Sequence, residues 1–413
     1  MGKQIWKTYK SPIPQLICRF MNPAKIAIIH PLLIAGGGSE AVALWAIEAL
    51  KHEYDINLIT MGNPDLLSLN ECYHTSINED QIKILRIPIP YLLKNSFDAL
   101  KGYKLARYCK RKSSEFDLMI SAYNVMDFGR KGIQYISDIS FSDRLRRAFD
   151  STDKGWKGFF YKESLLRRFY LKIGEVLAGT NRNGWMDNIT ISNSCWTSEL
   201  MKKIYGKETK TIYPPVFSNF PNILWNEREN GFVCIGRIVP EKRIEAIIES
   251  LKRVKKRGRD IHLHILGKAD DPLYEKKLKQ VYEGDHDWIF WEGQLFDSNK
   301  LKVIAQHKFG IHGHRSEAFG IAVAEMVKAG CIVWVPDDGG QVEIVNHPNL
   351  IYGSVEDAVN KIDRILNDQT IQTELREHLA GQAQKYSIER FMSEISETVH
   401  RLLEEKNMVH PIF

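Results

Sequence analysis

Two glutamates stand eight positions apart in the run His314-Arg315-Ser316-Glu317-Ala318-Phe319-Gly320-Ile321-Ala322-Val323-Ala324-Glu325-Met326. Glu317 reads as a loop residue. Glu325 falls inside a helix predicted to start near Phe319, and Ile321, Val323, Ala324 and Val327 mark that helix as largely buried. A carboxylate in the middle of a buried helix is costly unless a demanding partner meets it. A vicinal sugar diol is such a partner, because two hydroxyls can donate to the two carboxylate oxygens. The free N–H groups at the helix start suit a phosphate. The competing reading is an internal ion pair for Glu325 and a solvated Glu317.

Two more loops carry chemistry of the same kind. In Gly236-Arg237-Ile238-Val239-Pro240-Glu241-Lys242-Arg243 a glycine permits close backbone approach, and Arg237 and Lys242 bring two cations to one place, which suits a diphosphate. Ala35-Gly36-Gly37-Gly38-Ser39-Glu40-Ala41 leaves backbone N–H groups unobstructed ahead of a helix, a seat for phosphate. This loop also fits G-x-G-x-x-A, but a dinucleotide site needs an acid at the end of the next strand, where Thr60 stands. Asp285-His286-Asp287 has the D-x-D form of a metal-binding pair, yet it lies in a polar stretch and reads as a solvated turn.

The elements that must position these loops alternate. Strands are predicted at Lys25 to His30, Ile56 to Thr60, Leu118 to Ser121, Gln134 to Ile136 and Asn188 to Ser192, with a helix over Glu40 to Leu50. After Tyr213-Pro214-Pro215 and a polar stretch the pattern restarts at Phe232 to Ile235, Ile261 to Leu266, Trp288 to Phe290, Phe309 to Ile311 and Ile332 to Val335. Strands alternating with helices give β-α-β units and a mostly parallel sheet, here twice. Ligands of such sheets sit beyond the carboxyl ends of the strands, so the site belongs in a cleft between two α/β domains. Ser387 to Glu404 reads as an amphipathic helix through Phe391, Ile395, Val399, Leu402 and Leu403.

Bulk properties narrow the class. At 413 residues, 44% hydrophobic and 26% charged, the chain is an ordinary globular protein of two domains. Its six cysteines are scattered without a C-x-x-C pair, which argues against a zinc site and fits reduced thiols in a cytoplasm. The opening residues hold no secretory apolar core, and no apolar run is long enough to span a bilayer. Charge is uneven: residues 1–220 carry 31 Lys/Arg against 21 Asp/Glu, while the rest carries 26 against 30. A basic first half suits an anionic surface or substrate.

Taken in order, AGGGSEA, ISNSCWTSELMKKIYG with TIYPPV, GRIVPEKRIEAIIESLKRV, LHILGKADD, FWEGQLFDSNKLKVIAQHKFGIHGHRSEAFGIAVAEMVKAG and YSIERFMSEISETVHRLL resemble the retaining GT-B-fold glycosyltransferases of family 4, the glycosyl transferases group 1. EAFGIAVAE is similar to that family's E-x7-E signature. The resemblance implies an N-terminal Rossmann-like acceptor-side domain over 1–215, a linker over 216–230, a C-terminal Rossmann-like sugar-nucleotide domain over 231–386, and a final helix over 387–413 crossing back. It implies that Arg237 and Lys242 hold the donor diphosphate and that Glu325 holds the nucleotide ribose. Glu317, with backbone at Ala318, Phe319 and Gly320, would face the donor sugar. Gly38 would lie near the diphosphate, and Gly293 to Leu295 near the base. Members of the family often carry a His where this chain reads Ser137-Asp138, so Asp138 becomes the candidate for that contact. No metal cofactor is expected, because side-chain cations and helix dipoles stabilise the leaving diphosphate.

The implied activity is retaining transfer of a hexose-type sugar from a nucleoside-diphosphate-sugar to a glycan or lipid-linked acceptor, in surface polysaccharide or glycoconjugate biosynthesis. Residues 141–172 mix nine Lys/Arg with Phe141, Phe149, Trp156, Phe159, Phe160, Tyr161, Phe169 and Tyr170. That is the chemistry of a helix lying on anionic lipid, and equally of a basic helix covering a core. The first reading predicts a cytoplasmic protein peripheral on the inner face of the plasma membrane. No nucleic-acid recognition motif accompanies the basic charge. A non-catalytic sugar-nucleotide binder and a sugar-nucleotide isomerase are the alternatives.

Overall fold

The computed structural model describes residues 23–88, 98–139, 141–142, 144–145, 165–181, 183–217 and 219–409. Most of the basic, aromatic segment 141–172 lies outside them. Among the described residues thirteen strands form two parallel sheets. The first holds β1 (Lys25–His30), β2 (Asp55–Met61), β3 (Lys83–Ile87), β4 (Leu118–Ser121), β5 (Ile133–Ile136), β6 (Ile189–Ser192) and β7 (Lys210–Thr211), in the order β3-β2-β1-β4-β5-β6-β7. The second holds β8 (Glu229–Ile235), β9 (His262–Leu266), β10 (Ile289–Gly293), β11 (His307–Ile311), β12 (Ile332–Pro336) and β13 (Ile351–Tyr352), in the order β10-β9-β8-β11-β12-β13. Both sheets run outward in two directions from a central first strand, the doubly wound arrangement that places ligands where the order reverses.

The apolar runs became strands because helices cover both faces of these sheets. Ile26, Ala27, Ile28 and Ile29 of β1 are buried without interruption, as are Phe232, Val233, Cys234 and Ile235 of β8. The second domain packs around one continuous core extending from Val216 to Tyr386. The first domain divides its core between the two faces of its sheet, one face built on Ile28, Leu44 and Leu58, the other on Ile29, Met119 and Phe128.

The helix Ile388–Val409 leaves the second domain and packs on the first. Phe391, Ile395, Val399 and Leu402 recur every three or four residues, which makes one helical stripe, and all four join the first domain's core. Phe391 meets Tyr135 edge-on, and Ser396 Oγ donates to the Ala49 carbonyl at the end of the helix Gly38–Leu50. Burying side chains of this size is worth about 1.5–3 kcal/mol each, so this stripe ties the two domains firmly. Among the described residues no helix is long and apolar enough to cross a membrane.

Candidate functional site

The carboxyl ends of β8, β9 and β10 each finish in a glycine, and the three stack side by side. Gly236 donates its N–H to Leu266 O, and Gly267 donates to Gly293 O. A Cβ on Gly267 would fall 1.8 Å from Gly236 O, so only glycine allows these backbones to lie so close. Past Gly236 the chain makes one tight turn, Pro240–Lys242, and Arg243 takes a left-handed conformation before the helix Ile244–Lys256. That turn folds Lys242 back along Gly236 toward β11.

At the end of β11, Lys242 Nζ donates to Glu317 Oε2 at 2.6 Å and lies 3.4 Å from His312 Nε2. His314 Nδ1 reaches the same Glu317 oxygen at 3.1 Å. Among the described residues Glu317 Oε1 makes no hydrogen bond. Burial alone would raise the Glu317 carboxyl pKa; the Lys242 charge and the His314 hydrogen bond outweigh it and hold the group well below the usual carboxylate range. Glu317 is therefore an ion-paired carboxylate, with its side chain only 22% exposed, and neither a solvated acid nor an unpartnered one.

Gly320, at a left-handed φ of 102°, turns the chain into the helix Ile321–Lys328, and no side chain caps that helix. A Cβ on Gly320 would lie 3.6 Å from Glu317 Cγ, so the uncapped helix start and the Lys242–Glu317 pair are neighbours. Glu325, one helix face further on, is not vacant: Lys300 Nζ donates to its Oε1 and Oε2 at 2.7 and 2.8 Å. The internal ion pair weighed for Glu325 thus exists in this conformation. Arg237 pairs with Asp270 and remains 68% exposed. Phe319 is buried against Tyr213 and Tyr386, so its ring serves the core. The Ala318 carbonyl is turned toward the first domain, where Ser194 Oγ and Thr197 Oγ1 donate to it at 2.6 and 3.2 Å. Leu295 packs partly buried on the second core. Asp285 accepts from Lys252 Nζ at 2.7 Å and from Trp288 Nε1 at 3.1 Å, which commits the D-x-D stretch to holding its own loop.

Across the cleft, the glycine loop of the first domain faces these elements. A Cβ on Gly38 would come within 2.2 Å of Ile321 Cδ1, and one on Gly36 within 3.8 Å of Gln294 Nε2. The loop is clamped by Tyr73, whose hydroxyl accepts from Gly36 N at 2.9 Å and donates to Gly37 O at 2.7 Å. As a phosphate seat it is compromised by its own acid. The Glu40 carboxylate folds back so closely that a Cβ on Gly37 would clash with Oε2, and Ser39 Oγ donates to the same oxygen. The positive end of the helix Gly38–Leu50 therefore already faces a carboxylate. Asp138 is also engaged: Tyr123 and Asn124 donate to its two oxygens at 3.1 Å each, and Asn124 Oδ1 accepts the N–H groups of Ser137 and Asp138. On this side of the cleft His30, the last residue of β1, brings Nε2 to 3.2 Å from Ser39 Oγ.

One contact set that links the domains was not read from the sequence. Ser194 caps the helix Cys195–Tyr205, and the next two N–H groups, of Cys195 and Trp196, donate to the Glu343 carboxylate of the second domain at 2.9 and 2.6 Å. Tyr213 donates to Glu343 as well, and Trp196 Nε1 to Asp338. A helix N-terminus and a carboxylate attract one another, so this clasp holds the first domain against the helix Gln341–Val345, whose preceding Gly340 donates its N–H to Glu317 O.

Burial fixes the charge state of the cleft histidines. It lowers the His30 pKa from 6.5 to about 4; for His312, burial and then the Lys242 charge bring it to about 3. Both rings stay neutral in the folded chain at pH values where the unfolded chain protonates them. Stability is therefore expected to fall as pH drops from about 6.5 toward 4, by about 1.4 kcal/mol per pH unit for each ring. Denaturant titrations at several pH values check this. His30→Gln should flatten the slope, and an unchanged slope would remove the assignment to His30.

With this geometry in place, comparison with known proteins is informative. Residues 217–386 match the family model Glycosyl transferases group 1. The chain is 25% identical to the GDP-Man:Man(3)GlcNAc(2)-PP-Dol alpha-1,2-mannosyltransferase of Homo sapiens, across 92% of this chain and 87% of that protein. With the enzyme of the same name from Caenorhabditis elegans it shares 22% identity over 76% of each chain. Anabaena Alr3699/HepE in complex with UDP and glucose superposes with a TM-score of 0.65 over 91% of this chain and 99% of that one, at 16% identity. WaaG, a glycosyltransferase involved in lipopolysaccharide biosynthesis, gives 0.65 over 90% and 99%, at 13% identity. The chain has the GT-B fold, and within it residues 217–386 match the glycosyl transferases group 1 model.

Proposed function

We propose that the protein is a glycosyltransferase that moves a hexose-type sugar from a nucleoside-diphosphate-sugar to a lipid-linked glycan, with retention at the anomeric carbon. The observation that carries this reading is the meeting of Lys242, its counter-ion Glu317 and the uncapped helix start at Gly320, at the carboxyl ends of β8 and β11. An ammonium group has three donors. One is held by Glu317 and a second points to His312 Nε2 at 3.4 Å; the third is left for a diphosphate that enters the cleft from the side of Gly38. As the sugar departs, negative charge grows on that diphosphate. A fixed cation and the N–H groups of a helix stabilise it where it develops. Arg237 adds a second, more mobile charge at the rim. No step here calls on a metal ion. The proton released by the acceptor hydroxyl passes to the leaving diphosphate, on the same face of the sugar.

The names of the relatives support GDP-mannose as donor and a diphosphate-linked lipid as acceptor, whereas the superposed Anabaena structure holds UDP and glucose. A lipid-linked acceptor agrees with the basic first half of the chain and with work at the cytoplasmic face of a membrane.

The test is to incubate the full chain with GDP-mannose, UDP-glucose, UDP-N-acetylglucosamine or ADP-glucose, with and without a diphosphate-linked lipid glycan. Release of nucleoside diphosphate together with acceptor extension is the expected result for one donor. Thermal stabilisation by a donor without turnover would make the protein a binder only, and interconversion of donors without release would make it an isomerase. If no donor raises the unfolding midpoint or is consumed, the reading fails.

A further inference from the structure

Three histidines converge at the opposite end of the second sheet from Lys242. His262 and His264 are two apart on β9, so their side chains share one face. His307 opens β11, and β8 runs between these two strands. The imidazoles meet above β8 because residue 231 there is glycine. A Cβ at Gly231 would lie 2.2 Å from His262 Nε2 and 2.4 Å from His307 Cδ2. The His264 ring centroid is 4.3 Å from that of His307 and 5.2 Å from that of His262. One nitrogen from each ring falls within 4.8 Å of the other two.

The hydrogen bonds around the cluster fix which nitrogens are lone pairs. His307 Nδ1 lies 2.6 Å from the Val303 carbonyl, which can only accept, so Nδ1 carries the proton and Nε2 does not. His264 Nδ1 lies 2.6 Å from Glu292 Oε1 on β10, which makes the same assignment. Nε2 of His307 and Nε2 of His262 are both buried with no hydrogen-bond partner. Buried polar atoms are rarely left so, and each such atom needs a reason. Glu229, the first residue of β8, brings Oε2 to 3.3 Å from His262 Nε2 and 3.9 Å from His307 Nε2, with its side chain 54% exposed.

We propose that His262, His264 and His307 bind a divalent transition-metal ion of the zinc class, with Glu229 as fourth ligand. Three neutral imidazoles and a carboxylate are a known type of ligand set for zinc, whose bonds to nitrogen are about 2.0–2.1 Å long. Tetrahedral ligands at that length lie about 3.4 Å apart, so small side-chain rotations close the site. Glu292 and the Val303 carbonyl are the outer partners that orient ligating histidines in metal sites. The charges of Glu229 and Glu292 balance a divalent ion. The site lies at the amino ends of β8, β9 and β11, with β8, seven residues and about 20 Å of strand, between it and Lys242. Its role is to pin three strands of the donor-side sheet, separate from the transfer chemistry.

The test uses the full chain, stripped with a chelator and titrated with cobalt(II) and then zinc. One equivalent of cobalt should give the visible absorption of a four-coordinate ion, zinc should displace it, and zinc should raise the unfolding midpoint. The double variant His262→Ala/His264→Ala should lose all three effects. Glu292→Gln keeps the ligands and should weaken zinc binding by about 10–100-fold, which preserves the test if the double variant does not fold. His286→Ala, on the surface, should change nothing. Absence of a cobalt spectrum and of bound zinc in the wild-type chain would overturn the proposal. So would zinc affinity unchanged by Glu292→Gln and by the double variant.

Discussion

Lys242→Met is expected to lower donor turnover by about 10²–10³-fold, the usual cost of removing one fixed group that stabilises developing negative charge. The methionine keeps the apolar stem that lies along Gly236 and removes only the ammonium. The fold should survive, since Glu317 retains its hydrogen bond from His314 at 3.1 Å. Arg237→Ala should reduce turnover less, because its guanidinium is 68% exposed and already shared with Asp270. Glu317→Gln is the companion variant. It leaves the ammonium in place but frees it to move, so its effect and that of Lys242→Met should combine to less than their product, as for groups acting as one unit. Steady-state kinetics with the productive donor, alongside thermal unfolding to confirm the fold, reads both. Near-wild-type turnover in Lys242→Met would remove the diphosphate site from this end of the sheet.

The two-sheet architecture was legible because buried parallel strands leave unbroken apolar runs, and β1, β8 and β12 contain such runs. The strands that escaped notice are those at or near a sheet margin. Lys83–Ile87 is edge strand β3, with Lys83 and Arg86 exposed, and Lys210–Thr211 and Ile351–Tyr352 are two residues each. The loops at the ends of β8 and β11 were legible for a related reason: glycine followed by charge, directly after an apolar run, marks a strand end that can receive a ligand.

What the residues did not disclose were partners distant in sequence. Lys242 and Glu317 were each singled out, but as separate contacts to donor, and nothing 75 positions apart said that they would pair. The Glu343 clasp on the helix Cys195–Tyr205 spans a still longer gap of 148 positions, and Ser194 announces a cap but gives no sign of a second acceptor from the other domain. The glycine loop invited a phosphate reading, and Glu40, visible two residues past Gly38, was the signal against it. His262-Leu263-His264, by contrast, carries a readable signal: two apart on a predicted strand, the histidines place two imidazoles on one face.

Glu325→Ala is expected to raise the donor KM by roughly 10–150-fold with little change in kcat, the signature of a contact made equally in the bound and reacting states. The figure follows from losing one hydrogen bond to a charged group, about 1.5–3 kcal/mol. The Lys300 pair does not forbid this role. A carboxylate offers about four lone-pair sites, so two ribose hydroxyls can donate to oxygens that Lys300 already touches, and the lysine then fixes the direction in which they point. Two outcomes separate a ribose ligand from a merely structural ion pair. If Glu325 only answers Lys300, then Glu325→Ala and Lys300→Met should lower the unfolding midpoint alike and leave nucleotide affinity untouched. If it grips the ribose, a donor lacking the 2′-hydroxyl should bind the wild-type chain more weakly, while Glu325→Ala should no longer distinguish the two donors. Equal discrimination by wild type and Glu325→Ala would place the ribose elsewhere in the cleft, and Lys300–Glu325 would then be one more bond holding the helices Asp297–Gln306 and Ile321–Lys328 together.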